Sequence, residues 1–393
     1  MKIALINNLY AQQKRGGAEI IIERLKQTLE KQGHECFIVS TAPKKIVKEN
    51  KKTHYNLKKD NNTNKDYLIS SLYYNLNKLP YLLRLIWHIY KQLETKSLRK
   101  VAKILKQENP DLIISHNLIG FSTEIYKLID KLDIYHIHYL HDTQLLHPTG
   151  RIIYKREAII DTFLARLYQK VQIRHSQYIN LVISPSKWLL KLHQDKGFFE
   201  NTKTWQKFNP LENINNQNIK SDSKFKFTFI YIGQIDDNKG VEIMIKSFLK
   251  ISNNNKLILK IIGNGESLNV LKEKYLKYTN IVFLGRLSYQ DSMRELSAAN
   301  TLILPSLIYE NSPTALFDAL KLNKDIVATN LGGSSEIVNK YYGRLVSPNN
   351  IQSLKKAMIE SLNEKDVDKK PVDLSDLQAD IYIQELLKQL HFS

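Results

Sequence analysis

The sequence predicts an α/β protein built from two doubly wound domains, each a parallel sheet covered by helices. Three observations carry that expectation. Residues 2–33 read as a strand, a glycine-containing loop, a helix and a glycine stop, with a second strand directly behind. After an Asn-rich stretch at 208–224 the same alternation starts again. The chain has 393 residues, which suits two domains at roughly 100–200 residues each.

The opening MKIALINNLY has no long apolar region and no small-residue cleavage site, so it reads as a buried first strand and not as a signal peptide. The loop KRGGAE follows at 14–19. Apolar positions at Ile21, Ile22, Leu25 and Leu29 then predict a helix to about Lys31, stopped by Gly33, and ECFIVS begins the next strand. This is the start of a parallel doubly wound sheet. Residues 43–65 are polar and rich in Lys and Asn, and predict a mobile loop. Two basic amphipathic helices are expected at about 78–93 and 95–107. NPDLIISHN (109–117) and YHIHYLHD (135–142) read as strands ending in polar residues. NLVISPSKWLLKLHQDKGF (180–198) reads as strand, loop and helix, with Gly197 as the stop.

These elements place a first domain at 1–207. The polar FNPLENINNQNIKSDSK at 208–224 is the linker. The strand signals FTFIYIG, LILKIIG, IVFLG, TLILPS and DIVATN, separated by helical patterns, place a second domain at 225–374. The last segment, 375–393, has helical apolar spacing at Leu377, Ile381, Ile383, Leu386, Leu387 and Leu390, and is expected to pack back on the first domain. Strands in both halves end in glycine or small polar residues. Ligands of open parallel sheets bind beyond those carboxyl ends, so two such sheets facing each other would form an interdomain cleft.

Composition narrows the classes. A hydrophobic content of 42% excludes a disordered chain. The net charge of +19 favours anionic partners, or equally reflects an AT-rich coding composition. The lysines are spread out and no aromatic-basic motif appears, so nucleic acid is not expected. The single cysteine, Cys36, excludes an internal disulfide and a cysteine-rich zinc site, and fits a reducing cytoplasm. No run reaches the ~18 apolar residues of a membrane span. The most apolar stretch, Leu79 to Tyr90, is too short and contains Arg84 and His88.

Four segments carry candidate chemistry. In YENSPTALFDAL (309–320), Ser312 is a suitable N-cap and Pro313 suits a first helical turn. The N-terminus of such a helix favours a phosphate. Glu310 just before it and Asp318 inside it are placed to hold sugar hydroxyls through paired hydrogen bonds. A capped surface helix with incidental acids fits the same letters. In YIGQIDDNKGVEIMIKSF (231–248), Lys239 is either a point charge for a diphosphate or a solvated lysine at a helix start. The loop Arg15-Gly16-Gly17 lets backbone N–H groups approach a phosphate, or is an ordinary tight turn; it is not the dinucleotide fingerprint, since GxGxxG is missing. His141 and Asp142 close an apolar strand. Five of the eleven histidines lie between 116 and 147, but His136 and His138 share one strand face while His141 falls on the other, so no metal site is expected.

Taken in order, RGGAE (15–19), NPDLIISHN, YLHDTQLLHP (139–148), VISPSKWL (182–189), the Gln234 to Gly240 loop, IIGNGE (261–266), LPSLIYENSPTALFDAL (304–320) and GGSSEIV (332–338) resemble the family 4 glycosyltransferases of the GT-B fold, with two Rossmann-like domains. The resemblance covers nearly the whole chain. It implies a retaining transferase that moves a hexose-type sugar from a UDP or GDP sugar without cofactor or metal. Gly16, Gly17 and Gly233 would approach the donor diphosphate. Lys239 would neutralise it as it leaves, and Glu310 would hold the donor sugar. The N–H groups of Asn311, Ser312 and Thr314, around Pro313, would reach phosphate or sugar, and Asp318 would bind the ribose. His141 would lie by the anomeric carbon, with His116, Asn117 and Asp142 on the acceptor side. The acceptor would be a glycan or a lipid-linked glycan of bacterial surface polysaccharide or glycolipid synthesis.

Three positions depart from the family: Gln234 stands where Arg is usual, Asp318 where Glu is usual, and Asn323-Lys324-Asp325 where Gly-x-Pro is usual. These departures keep open a non-catalytic nucleotide-sugar-binding subunit, and a sugar-nucleotide epimerase shares the fold. The basic helices at 78–107, with Leu82, Leu85, Ile86, Trp87 and Ile89, either rest on an anionic membrane at the inner face of the cell or pack into the first domain.

Overall fold

A computed structural model describes residues 1–9, 16–47, 66–71, 94–212, 227–252, 257–364 and 371–390, together with Tyr73, Leu76, Leu79, Pro80, Leu83, Arg84, Trp87, His88, Tyr90 and Lys91. Arg15, Leu82, Leu85, Ile86, Ile89, most of the 43–65 segment and linker residues 213–224 lie outside the described residues.

The chain divides into two compact units. Unit 1 comprises Met1–Arg151, Ala158–Glu212 and Leu377–Ser393. Its elements are β1 (Lys2–Asn7), α1 (Gly17–Lys31), β2 (Glu35–Ala42), β3 (Tyr67–Ser70), α2 (Thr95–Glu108), β4 (Leu112–Ser115), α3 (Ile125–Lys131), β5 (Tyr135–Tyr139), α4 (Phe163–Ser176), β6 (Leu181–Ser184), α5 (Lys187–Gln194), β7 (Lys203–Gln206) and a C-terminal helix, Ala379–Lys388. The seven strands are ordered β3-β2-β1-β4-β5-β6-β7, and all pair in parallel.

Local chemistry sets the boundaries. Short strands such as LIIS and LVIS are fully buried and read as continuous apolar runs, as expected of a sheet covered on both faces. Glu94 caps α2 by accepting the Ser97 N–H at 3.0 Å, and Asn109 ends that helix in the left-handed region. Ser186 caps α5 through the Leu189 N–H at 3.1 Å.

The main core of unit 1 joins Ile3, Leu5, Leu25, Leu29, Ile114 and Ile183 to Tyr382, Ile383, Leu386 and Leu390 of the C-terminal helix. That helix packs against α1. Tyr382 meets the Tyr139 hydroxyl at 3.0 Å, and Tyr139 also donates to Asn209 Oδ1 at 2.8 Å. Each fully buried large apolar side chain here contributes roughly 1.5–3 kcal/mol.

Unit 2 comprises Ile152–Glu157 and Asn213–Asp376. Its elements are β8 (Phe227–Ile232), α6 (Val241–Leu249), β9 (Leu257–Ile262), α7 (Leu268–Lys274), β10 (Ile281–Gly285), α8 (Tyr289–Ala298), β11 (Thr301–Leu304), α9 (Thr314–Lys321), β12 (Asp325–Thr329), α10 (Gly332–Lys340), β13 (Arg344–Val346) and α11 (Ile351–Asn363). The six strands are ordered β10-β9-β8-β11-β12-β13, again all parallel. The segment 152–157 joins this unit through backbone pairing: Tyr154 N–H donates to Leu307 O at 2.8 Å, and Tyr309 N–H to Ile152 O at 3.0 Å.

Both sheets place their first strand beside their fourth, so each has a point where the strand order reverses: β1/β4 in unit 1 and β8/β11 in unit 2. Ligand crevices open at such points. Two expectations are corrected. The loop at 43–65 opens with a helical turn at 44–47, where the Val47 N–H donates to Pro43 O at 3.1 Å. The strand read at 135–142 ends at Tyr139, so His141 lies past the strand and not on its opposite face. No described helix is long and apolar enough to cross a membrane.

Candidate functional site

In unit 2 the candidate residues gather at the β8/β11 reversal. β8 ends at Ile232, and Gly233 follows with its N–H on Ile262 O at 3.0 Å. Gln234 is exposed, and its carbonyl accepts from the Tyr231 hydroxyl. A turn of 3₁₀ helix at Asp237–Lys239 brings the chain back over the end of β11. Gly240 makes that return possible: its φ is +69°, and a Cβ there would lie 2.0 Å from the Pro305 carbonyl oxygen.

The return places Lys239 Nζ 2.6 Å from Glu310 Oε1. Ser306, two residues past β11, donates to the same oxygen at 2.9 Å. The backbone of Glu310 is fixed as well: its carbonyl accepts the Gly333 N–H at 2.7 Å. Gly332 has φ +54°, and a Cβ there would come 2.6 Å from that same carbonyl oxygen. A cation and a carboxylate are thus held together, half-buried, at a strand end.

Helix α9 begins at Thr314 with Pro313 as its cap residue and no side-chain cap bond. The expectation that Ser312 caps and Pro313 opens the helix is therefore corrected by one residue. Pro313 has ψ of 118°, which is extended and not helical, so the first turn starts after it. The N–H groups of the first turn have no intrahelical partner and carry the positive end of the helix dipole. Asn311, Ser312, Pro313 and Thr314 are all half-buried around that end. Asp318 lies farther along α9 and accepts from the Tyr289 hydroxyl at 3.1 Å.

In unit 1 a second cluster gathers at the β1/β4 reversal. The His116 N–H donates to Ile6 O at 2.8 Å, and the Asn117 N–H to Asn7 Oδ1 at 3.2 Å. His116 Nδ1 lies 2.8 Å from His141 Nε2. The His141 ring stacks on Tyr139, centroids 4.8 Å apart. Burial pushes the His141 imidazole down to about 3 and holds His116 far below its ordinary value. Both rings are therefore neutral near pH 7 and act as hydrogen-bonding groups.

Asp142 behaves in the opposite way. Burial pushes its carboxyl up to about 7, against the pull of the Gln144 N–H and the Arg151 charge. The Gln144 N–H reaches Asp142 Oδ1 at 2.7 Å and its side-chain amide reaches Oδ2 at 3.0 Å. His116, His141 and Asp142 line one pocket with Trp87, His88 and Tyr168. His138 lines the same pocket, whereas His136 does not. Ser115 Oγ lies 2.7 Å from His136 Nε2 and 2.8 Å from His138 Nδ1. Among the described residues no group of three or more His, Cys, Asp or Glu is placed to hold a metal.

Gly16 and Gly17 sit at the N-terminus of α1, both exposed, with the Gly16 N–H on Glu19 Oε2 at 2.9 Å. A Cβ at Gly17 would meet nothing within 4 Å, so the protein's own packing does not demand glycine there. The basic helix expected at 95–107 is α2. It buries Val101 and Leu105 and turns Lys96, Arg99, Lys100, Lys103 and Lys106 outward. Trp87 is buried, whereas Leu83 and Tyr90 are exposed. The sequence reading missed Ser306, Tyr231 and Tyr289. Ser306 sits within the LPS run at 304–306; Tyr289 is 29 positions from Asp318 and gives no local signal.

Comparison with known proteins shows the family and the fold. The family described as "Glycosyltransferase Family 4" matches residues 15–205, and that described as "Glycosyl transferases group 1" matches 213–376. An uncharacterized 42.6 kDa protein in the cps region of Klebsiella pneumoniae is 25% identical over 349 residues, covering 86% of this chain and 87% of that protein. Among solved structures, a sucrose-phosphate synthase from Thermosynechococcus elongatus superimposes with a TM-score of 0.72 at 14% identity, covering 99% of this chain and 98% of that one. Anabaena HepE in complex with UDP gives a TM-score of 0.69 at 16% identity, covering 99% of this chain and 100% of that one. The same protein with UDP-glucose gives 0.65 at the same identity and coverage.

Proposed function

We propose, from the premise that this chain belongs to the family 4 glycosyltransferases of the GT-B fold, that it moves a hexose-type sugar from a nucleoside-diphosphate sugar to a glycan or lipid-linked acceptor, with retention of configuration and without a metal ion. The observation that carries this reading is the Lys239–Glu310 pair, locked by Ser306 beside the N-terminus of α9.

In this reading the donor diphosphate takes Lys239 and the N–H groups at the start of α9 as its counter-charges. Negative charge grows on the leaving phosphate as the glycosidic C–O bond breaks. A cation and a helix N-terminus fixed beforehand stabilise that charge without rearranging at the moment of reaction. They fill the place that a metal ion takes in other transferases. Glu310, freed from Lys239 by the incoming phosphate, accepts hydrogen bonds from the sugar hydroxyls. Asp318, oriented by Tyr289, accepts from the ribose. The exposed N-terminus of α1 at Gly16 and Gly17 supplies further phosphate contacts.

The acceptor hydroxyl attacks the anomeric carbon on the face from which the diphosphate leaves. Its proton passes to the departing phosphate oxygen, so atoms and charge balance without a covalent enzyme intermediate. His141 is held neutral and contributes a hydrogen bond to position the reacting groups. The unit 1 pocket, with Asn117 and Asp142, takes the acceptor. The donor base in this reading is UDP or GDP; the similar Anabaena protein was solved with UDP and UDP-glucose. A place in capsule or surface-polysaccharide synthesis is supported by the Klebsiella relative in a cps region.

A thermal-shift screen against nucleotide sugars tests the donor: the matching sugar raises the melting midpoint by mass action. Transfer or donor hydrolysis lost on Glu310→Ala or His141→Ala confirms catalysis. The exposed Gln234 supports a second reading, a nucleotide-sugar-binding subunit without turnover. That reading expects the thermal shift with no hydrolysis under any acceptor. Formation of an epimeric nucleotide sugar without an acceptor indicates an epimerase instead.

A further inference from the structure

Helix α4 is built the reverse of an ordinary surface helix. Its buried positions are Ala165, Gln169, Gln172, His175 and Ser176. Its exposed positions include Phe163 at 75%, Leu164 at 49% and Leu167 at 44%. A helix packed on a sheet normally turns its apolar stripe inward.

The inward polarity has a reason in the fold. Gln169 Nε2 donates to Leu146 O at 3.0 Å and to Ile160 O at 2.7 Å, fixing the loop after β5. The Tyr168 hydroxyl donates to Gln144 O at 2.9 Å, and Tyr168 and Gln172 line the unit 1 pocket. The outward apolar side chains have no such reason. Single exposed apolar residues are ordinary, but three within five consecutive positions form a patch that marks an interaction surface.

The same helix exposes Arg166, Lys170 and Arg174 and contains no acidic residue. Positions 163, 166, 167, 170 and 174 follow helical spacing along one stripe. This combination decides between occupants. A second copy bound about a two-fold axis would set Arg166, Lys170 and Arg174 against themselves, which like charges oppose. An anionic lipid surface accepts both parts, with the apolar side chains in the acyl boundary and the basic ones on headgroups.

The other wall of the pocket repeats the feature. Trp87, His88 and Lys91 line the pocket, and their segment exposes Leu83 at 48% and Tyr90 at 54%. We infer that the exposed α4 face, the stripe Phe163, Arg166, Leu167, Lys170 and Arg174 flanked by Leu164, is a docking surface for an anionic membrane, set beside the unit 1 pocket so that the pocket meets an acceptor still held in the lipid. The last clause rests on the lipid-linked acceptor proposed above; the docking surface itself does not.

Flotation of the full chain with phosphatidylglycerol-containing vesicles and with pure phosphatidylcholine vesicles tests it. The chain is expected to bind the anionic vesicles about ten-fold more tightly or better, with binding weakened by salt. Phe163→Ser combined with Leu167→Ser is expected to lower anionic binding about ten-fold, and Arg166→Glu with Lys170→Glu by at least as much. Lys100→Gln with Lys103→Gln on α2, which carries charge without exposed large apolar side chains, is expected to change it by roughly two- to three-fold. Each variant is checked for an unchanged melting midpoint and unchanged donor-induced shift, so a folding defect is visible. Equal binding of the parent chain to neutral vesicles overturns the inference. So does undiminished anionic binding by Phe163→Ser with Leu167→Ser, or a dimer in sedimentation velocity that this variant dissolves. Vesicle binding is read without any transfer assay, so failure of the proposed reaction leaves this result standing.

Discussion

At the scale of single residues, the proposed reaction requires the Lys239–Glu310 pair to exchange partners. Lys239 is bonded to Glu310 and donor phosphate is expected to compete for it. Glu310→Ala is expected to lower transfer or donor hydrolysis at least ~100-fold, as for removal of a group aimed at developing charge. Ser306→Ala removes one hydrogen bond to that carboxylate and is expected to lower activity only about 3- to 10-fold. Gln234 is exposed and at the edge of the same site, so Gln234→Arg has room for the missing cation. It is expected to tighten donor binding by about 3- to 10-fold, read by titration calorimetry, because a charge-assisted bond contributes about 1.5–3 kcal/mol before solvent screening.

Asp142 gives a prediction of definite sign. Its carboxyl is raised to about 7 in the folded chain from an ordinary value of 3.8. Between those values the folded state binds more protons than the unfolded one, so stability falls as pH rises through the window. Asp142→Asn removes that loss. The melting-midpoint gain from Asp142→Asn is expected to be larger at pH 8 than at pH 5, and a constant difference would contradict the burial described here. Lys239, Glu310 and His141 could be picked out in the sequence as candidates because each lies in a recognisable motif a few residues past a strand. The partners that set their geometry could not. Tyr139 stacks under His141 from within β5, and Tyr289 reaches Asp318 from the neighbouring helix. Such pairings are fixed by packing, which leaves no mark on local spacing.

At the scale of elements, the two reversal points depend on backbone approach as much as on side chains. Gly240 touches the end of β11 so closely that Gly240→Ala must displace the Lys239 turn. That variant is expected to lose about 2 kcal/mol or more of stability by combining a left-handed φ with a clash, and to lose donor binding, measured by thermal shift. Elements with an apolar signature were read correctly: α1 and α2 follow a period of 3.6, and β1, β8 and β11 are continuous apolar runs with recognisable ends. Helix α4 escaped because its inward face is Gln169, Gln172 and His175. A method that finds helices by their apolar face has no purchase on a helix that turns polar groups toward a pocket. β3 and β7 are four-residue edge strands whose pairing is set by the neighbours they add to.

At the scale of the whole molecule, the same strand order appears in two units with no obvious sequence repeat, and each puts its candidate chemistry at the corresponding place. The core of unit 1 is completed by the chain's last helix. Leu386→Ala is expected to cost about 2–5 kcal/mol, seen as a drop in the unfolding midpoint of unit 1. Donor-induced stabilisation, which resides in unit 2 in the proposed reading, is expected to survive that substitution.

The discontinuity of unit 1 also matters before the protein is finished. Ribosomes deliver this chain from its N-terminus, so α1 emerges with Ile21, Ile22, Leu25 and Leu29 ready for a partner helix that is synthesised only after unit 2. All of Asn213–Asp376 must be translated in between. At ~5–20 residues per second that interval is on the order of ten seconds or more. Throughout it, the nascent first unit presents an uncovered apolar face, and unit 2 can complete its own sheet before unit 1 closes. Limited proteolysis of stalled nascent chains is expected to show unit 2 protected first, with protection of unit 1 arriving only when Leu390 has cleared the exit tunnel.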